Sequence, residues 1–186
     1  TRVPYPFYDT YSVTTTLTRE QITTISPTVK YKNNIVIPWR EDFEDPSLLL
    51  DIISKSDTTI NLYEETPFEG LRSGKVVLEG DKLFFEMTSD TTYILPQTGQ
   101  SIFLELDFKT NSVITTGVYI NAGSIVQQSS VLMLNPTDEW KKIYINLTRA
   151  VLNTQNPRNF RVFFGILRAE NSETVEAYFD NIKLIY

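Results

Sequence analysis

YFDNIKLIY, residues 178–186, closes the chain, and its reading decides the fold. Ile182 and Leu184 alternate with Lys183, the two-residue period of a strand with one face buried. Counting back by twos puts Asp180 and Tyr178 on the side of Ile182 and Leu184. A carboxylate on a buried face needs a partner, because an unpaired charge taken out of water is costly. The segment therefore predicts a terminal strand whose inward acid meets either a cation or hydrogen-bond donors from Arg40, Arg72 or the backbone.

Other segments carry the same period. SIFLELDFK, residues 101–109, sets Ile102, Leu104, Leu106 and Phe108 against Phe103, Glu105, Asp107 and Lys109. KKIYINL, residues 141–147, sets Ile143, Ile145 and Leu147 against Lys142, Tyr144 and Asn146. Such strands belong to antiparallel sheets with one packed and one wet face. Further strands are predicted over residues 11–17, 28–32, 36–43, 59–64, 75–78, 82–88, 116–121, 131–134, 160–167 and 175–184. Many short strands broken by turns predict an all-β antiparallel β-sandwich, a jelly roll. Phe84, Phe103, Phe108, Phe160, Phe164 and Phe179 are its expected core. DPSLLLDIISK, residues 45–55, reads as one or two helical turns with Asp45 as N-cap and Pro46 first, or as an irregular loop. Residues 1–34 are Thr-rich and poor in large aliphatics. They read as a β-rich arm or the remnant of a preceding small β-domain, a point where a neighbouring domain or envelope protein would attach. Residues 35–186 carry the sandwich.

Composition narrows the chemistry. With 186 residues, 41% hydrophobic and 22% charged, the chain can bury a full core. A net charge of −6 argues against nucleic acid, which asks for a basic surface. No apolar run reaches the roughly 20 residues of a membrane span. There is no cysteine and no histidine, which removes disulfides, thiolate and Ser-His nucleophiles and the usual zinc ligands. The expectation is a protein that is not an enzyme. ELDFKT, residues 105–110, resembles the E-x-D-x-x-E signature of jelly-roll glucanases, but Lys109 and Thr110 stand where the acid should be. Glu105, Asp107 and Lys109 are then a solvated ladder. The chain begins at Thr1 without Met, consistent with a removed leader.

Four motifs in order, DFED (42–45), SGKVVLEG (73–80), TDEWKKIYINL (137–147) and YFDNIKL (178–184), resemble the carbohydrate-binding-module type of jelly roll, the galactose-binding-like sandwiches. The resemblance covers about residues 39–186. It implies glycan binding or an accessory structural role on secreted or envelope proteins. It also implies a structural calcium where the first and last strands meet, held by Glu44, Glu69, a carbonyl near Lys75, and Asp180. Calcium takes six to eight oxygens in irregular geometry.

Sugar recognition stacks an aromatic ring on a pyranose face and surrounds it with amides and acids. Tyr119 with Asn121, and Tyr144 with Asn146, pair these types on one strand face. Tyr63 and Tyr93 add rings on outer parities or loops. Trp140 is expected to plug the end of the sandwich. The expectation is a non-catalytic carbohydrate-binding module with polysaccharide as its partner. Its place is extracytoplasmic, periplasmic or on the cell surface, and lipid-anchored through the removed leader. A structural or adhesive envelope protein of the same fold is the alternative, and a glycoside hydrolase the third reading.

Overall fold

The alternating runs pair as strands, and two antiparallel sheets result. The structure, a computed structural model, describes residues 8–9, 30–31, 34–54, 58–170 and 172–186. The chain divides into two units, Thr1–Val36 and Ile37–Tyr186. In the first, β1 (Tyr8–Asp9) pairs antiparallel with β2 (Lys30–Tyr31). The strand expected over 11–17 lies outside the described residues.

The second unit is an antiparallel β-sandwich. Its strands are β3 (Trp39–Glu41), β4 (Leu50–Ile52), β5 (Ile60–Tyr63), β6 (Ser73–Leu78), β7 (Phe84–Ser89), β8 (Phe103–Thr110) and β9 (Ile114–Ala122). They continue as β10 (Ile125–Leu134), β11 (Thr137–Asn146), β12 (Asn159–Leu167) and β13 (Val175–Ile185), with a one-turn helix α1 (Thr148–Leu152) after β11. One sheet runs β10-β9-β12-β7-β4, and the other runs β11-β8-β13-β6-β5 with β3 also on β13.

The core lies between the sheets. Leu104, Leu106 and Phe108 of β8, with Phe179, Ile182 and Leu184 of β13, meet Phe85, Met87, Val118, Phe164 and Ile166 from the other sheet. Phe164 and Phe179 touch across it with ring centroids 5.5 Å apart. Each such side chain contributes about 1.5–3 kcal/mol by burial. Three sequence expectations fail here. Phe103 lies on the parity opposite to Leu104 and is only partly buried. Phe84 is 38% exposed, because it takes the parity opposite to Phe85 and Met87. The stretch expected as helix or loop at 45–55 turns at Asp45, whose carboxylate accepts the Ser47 N–H at 2.7 Å, and then becomes β4. Pairing with β7 outweighs the weak helical preference of Leu48–Ile53.

A bulge resolves the opening question. The β13–β8 register shifts between Asp180 and Lys183, and Asn181 has φ 48°. The extra residue reverses parity within the strand. Ala177 and Phe179 face inward before it, Ile182 and Leu184 after it, all buried. Asp180 therefore leaves the sandwich core and faces outward, opposite Asp107 of β8. The expectation of an acid on the inner face is corrected: parity cannot be counted through a bulge. The same break divides the other flank of β13, which pairs with β6 over Val175–Phe179 and with β3 over Ile182–Leu184.

A left-handed backbone at Asn181 is costly for branched residues. Asn181→Val should destabilise by about 2 kcal/mol or more, lowering Tm by about 4–8 °C at this size. Asn181→Gly should cost less than half of that. Thermal unfolding of the two variants checks this.

Candidate functional site

Asp180 is 1% exposed although it points away from the core, because the loop over residues 66–72 covers it. Its Oδ2 accepts the N–H groups of Phe68 and Glu69 at 3.0 Å each, and its Oδ1 accepts the N–H of Asn181 at 2.8 Å. Glu44 holds the other half of the loop: its Oε1 accepts the N–H of Leu71 at 2.8 Å and of Arg72 at 3.1 Å. Gly70 sits between with φ 72°, and a Cβ there would meet Glu44 Oε1 at 2.2 Å. Trp140 completes the attachment, donating from Nε1 to the Thr66 carbonyl at 3.1 Å. Its ring lies between Phe68 and Tyr178, at 6.0 and 6.3 Å. Trp140 thus pins a loop to the outer face of the six-stranded sheet and does not plug the sandwich end.

Beneath this loop the outer face of the six-stranded sheet is closed. Glu105 and Asp107 are both 0% exposed, so the solvated ladder expected from sequence is corrected to a buried ion cluster. Lys142 of β11 bonds Glu105 at 3.1 Å and Asp107 at 2.7 Å, and Lys183 of β13 bonds Glu105 at 3.1 Å. Burial raises the Asp107 carboxyl above the usual range, and Lys142 opposes that rise. Lys142 is itself pulled down by burial, but its bonds to Asp107 and the charge of Glu105 outweigh it, and its pKa is raised. Asp180 is pushed up to about 6, first by burial, with the Asp107 charge adding and the three N–H bonds opposing. Both carboxylates pair with lysines, and the Thr110 hydroxyl donates to the Ser112 carbonyl at 2.9 Å.

Of the four residues expected around calcium, Asp180, Glu69 and Glu44 all attach to the 66–72 loop, and Lys75 stands apart from them. Asp180 and Glu44 take backbone N–H groups. Glu69 accepts from the Asn181 amide at 3.1 Å, and the Lys75 ammonium pairs with Glu176 at 2.8 Å. Among the described residues no three carboxylates converge. The backbone N–H groups give Asp180 and Glu44 donors of their own, so these carboxylates are satisfied by the chain itself. The meeting of the DFED and YFDN segments takes place, with backbone amides supplying the positive counterpart.

The outer face of the five-stranded sheet is built differently. Tyr119 of β9 packs on Phe163 of β12 at 5.3 Å, and its hydroxyl donates to Glu86 of β7 at 2.5 Å. Gln128 of β10 reaches the other Glu86 oxygen at 3.2 Å. Gly165 leaves the space over which these groups meet, the Glu86 Oε2 lying 3.5 Å from where its Cβ would be. Burial and the Glu86 carboxylate raise the Tyr119 phenol, so it remains a donor at neutral pH. Arg161 of β12 binds Asp51 of β4 at 2.8 Å and the Asp90 carbonyl at 2.8 Å. Asn121 lies beside Asn159 across the β9–β12 pairing.

The six expected ligand residues do not form one platform. Tyr119 and Asn121 share the five-stranded face. Tyr144 lies opposite Glu105 on the other sheet, and Asn146, farther along the same strand, accepts the Thr148 N–H at 3.0 Å. Tyr63 stands at the far side of that sheet, edge-on to Tyr178 at 5.3 Å and donating to Glu65. Tyr93 is a loop residue bridged to Phe160, its hydroxyl bonded by Thr91. Sequence reasoning passed over Glu86, Gln128, Arg161 and Asp51. Only Glu86 left a signal, an acid on the parity opposite to Phe85 and Met87.

No family model and no curated protein matches the sequence. Solved structures do match in three dimensions. A xylan-binding domain of family 22 carbohydrate-binding modules aligns over 80% of this chain and 93% of its own at 12% identity, TM-score 0.53. The CBM22-1 xylan-binding domain of Paenibacillus barcinonensis Xyn10C aligns over 80% and 93% at 10% identity, TM-score 0.58. The C-terminal family 22 module of Clostridium thermocellum Xyn10B aligns over 80% and 92% at 10% identity, TM-score 0.53. At these identities the likeness shows the fold, an antiparallel β-sandwich.

Two measurements check the closed face. A folded-state pKa near 6 against 3.8 in the unfolded chain means the native state favours protonated Asp180. Its contribution is therefore greatest below about pH 4 and is lost as pH rises through about 6, a difference of up to about 3 kcal/mol. Asp180→Asn should flatten the stability profile between pH 4 and 7 relative to the parent. Because backbone amides hold Asp180 and Glu44, Tm in chelator should match Tm in millimolar calcium within about 1 °C, where a bound ion at 100 times its Kd adds about 2.7 kcal/mol.

Proposed function

We propose that the sandwich is a non-catalytic carbohydrate-binding module that takes a polysaccharide chain on the outer face of its five-stranded sheet. The observation that carries this is the Tyr119 ring, backed by Phe163 and oriented by Glu86. A ring fixed before the ligand arrives loses little freedom on binding. Asn121, Asn159, Gln128 and Arg161 surround it with the donors and acceptors that sugar hydroxyls require. The likeness in fold to xylan-binding domains supports the ligand class. The commitment of Glu105 and Asp107 to Lys142 and Lys183 supports a binding role over a hydrolytic one. An extracytoplasmic location belongs to the same proposal, since polysaccharide partners of this kind lie outside the cytoplasm.

Truncating a central aromatic anchor typically costs more than 1 kcal/mol. Tyr119→Ala should weaken binding to its polysaccharide by about tenfold or more in calorimetry, with the fold retained. Tyr119→Phe should keep most of the affinity. Tyr144→Ala, on the opposite sheet, should leave it unchanged. Equal binding by Tyr119→Ala and parent would move the site elsewhere, and no binding to any polysaccharide on a glycan array would favour a structural or adhesive role.

A further inference from the structure

A cavity away from Tyr119 has no part in that proposal. It is about 580 Å³, open along one side, and lies where edge strand β10 passes α1 and the end of β11. Gln127 and Ser129 line it from β10, Asn146 from β11, Arg149 from α1, and Asn153 and Gln155 from the loop that follows. Ile125 and Val131 supply apolar wall. Its volume is that of a small-ligand pocket.

The chemistry of the lining is selective. Arg149 is the only ionisable residue in it, in a chain of net charge −6. Among the described residues, the side chains of Arg149, Gln127, Asn153 and Gln155 make no hydrogen bond or ion pair. By contrast Arg40, Arg72 and Arg161 are each paired with an acid. A guanidinium presents a planar fork of donors that matches a carboxylate in two parallel bonds. The amides around it both donate and accept, which suits a ligand bearing several hydroxyls. A single cation matches a single negative charge.

From this geometry we infer that the β10–α1 cavity binds a sugar acid, with Arg149 on the carboxylate and Gln127, Asn153 and Gln155 on the hydroxyls. A uronic acid unit of a polysaccharide is the ligand class. The inference rests on the carbohydrate-binding reading for taking a sugar as ligand, but not on the Tyr119 face.

The test titrates the isotope-labelled full chain with trigalacturonate and, separately, with its fully methyl-esterified form, following the side-chain amide signals of Gln127 and Asn153. The charged trimer should shift these signals saturably, and the ester should bind about tenfold more weakly or worse. Arg149→Met should abolish the difference between the two, and Tyr119→Ala should preserve it. Equal shifts by acid and ester, an unchanged preference in Arg149→Met, or no shift at all would overturn the inference. So would inorganic phosphate or sulfate shifting the same signals as strongly as the trimer, since the site would then read charge alone. Because Tyr119→Ala is read in the same series, failure of the Tyr119 face leaves the Arg149 signals intact, and the two outcomes separate.

Discussion

The structure depends on two carboxylates holding one loop by its backbone. Asp180 takes the N–H groups of Phe68 and Glu69, and Glu44 takes those of Leu71 and Arg72. Together they bind the segment after β3 and the bulge of β13 to the same turn, with Gly70 supplying the left-handed backbone between them. Hydrogen bonds to an ionised acceptor are the stronger kind, and leaving the part-buried Phe68 and Glu69 donors unmade would be costly.

Closing that loop divides the sandwich into two unlike outer faces. On the six-stranded side, Asp180, Asp107 and Glu105 lie out of water and are balanced by lysines and amides. Buried ion pairs recover their desolvation cost only with good geometry, so this cluster contributes arrangement more than net stability. Lys142 and Lys183 are in bonding range of their acids, while the second oxygen of Asp107 is buried without a partner. On the five-stranded side no such loop among the described residues covers Tyr119, whose hydroxyl is held by the buried Glu86.

Much of the architecture was legible in local pattern. The alternation in SIFLELDFK and KKIYINL assigned the buried side of β8 and β11 correctly, because inward residues are selected one by one by the core. The same alternation labelled Glu105 and Asp107 as wet, since nothing in a strand records that a loop 40 residues earlier will lie over it. DPSLLLDIISK read as helix or loop because β4 exists only through its pairing with β7. The site was less legible: Tyr119 and Asn121 stood out as an aromatic with an amide. Glu86, Gln128, Arg161 and Asp51 come from four other strands and meet them only in the assembled sheet.

The sequence by itself determined an all-β sandwich, its inward residues, and the absence of thiol and imidazole chemistry. The terminal segment YFDNIKLIY was identified as a sheet member with an acid that had to be satisfied. Tertiary structure alone decided how. The bulge at Asn181 turned Asp180 outward, and the loop at 66–72 brought it backbone N–H groups. Periodicity reports the average path of a strand, whereas a single inserted residue reverses every side chain beyond it. That reversal becomes visible only when the neighbouring strands fix the register.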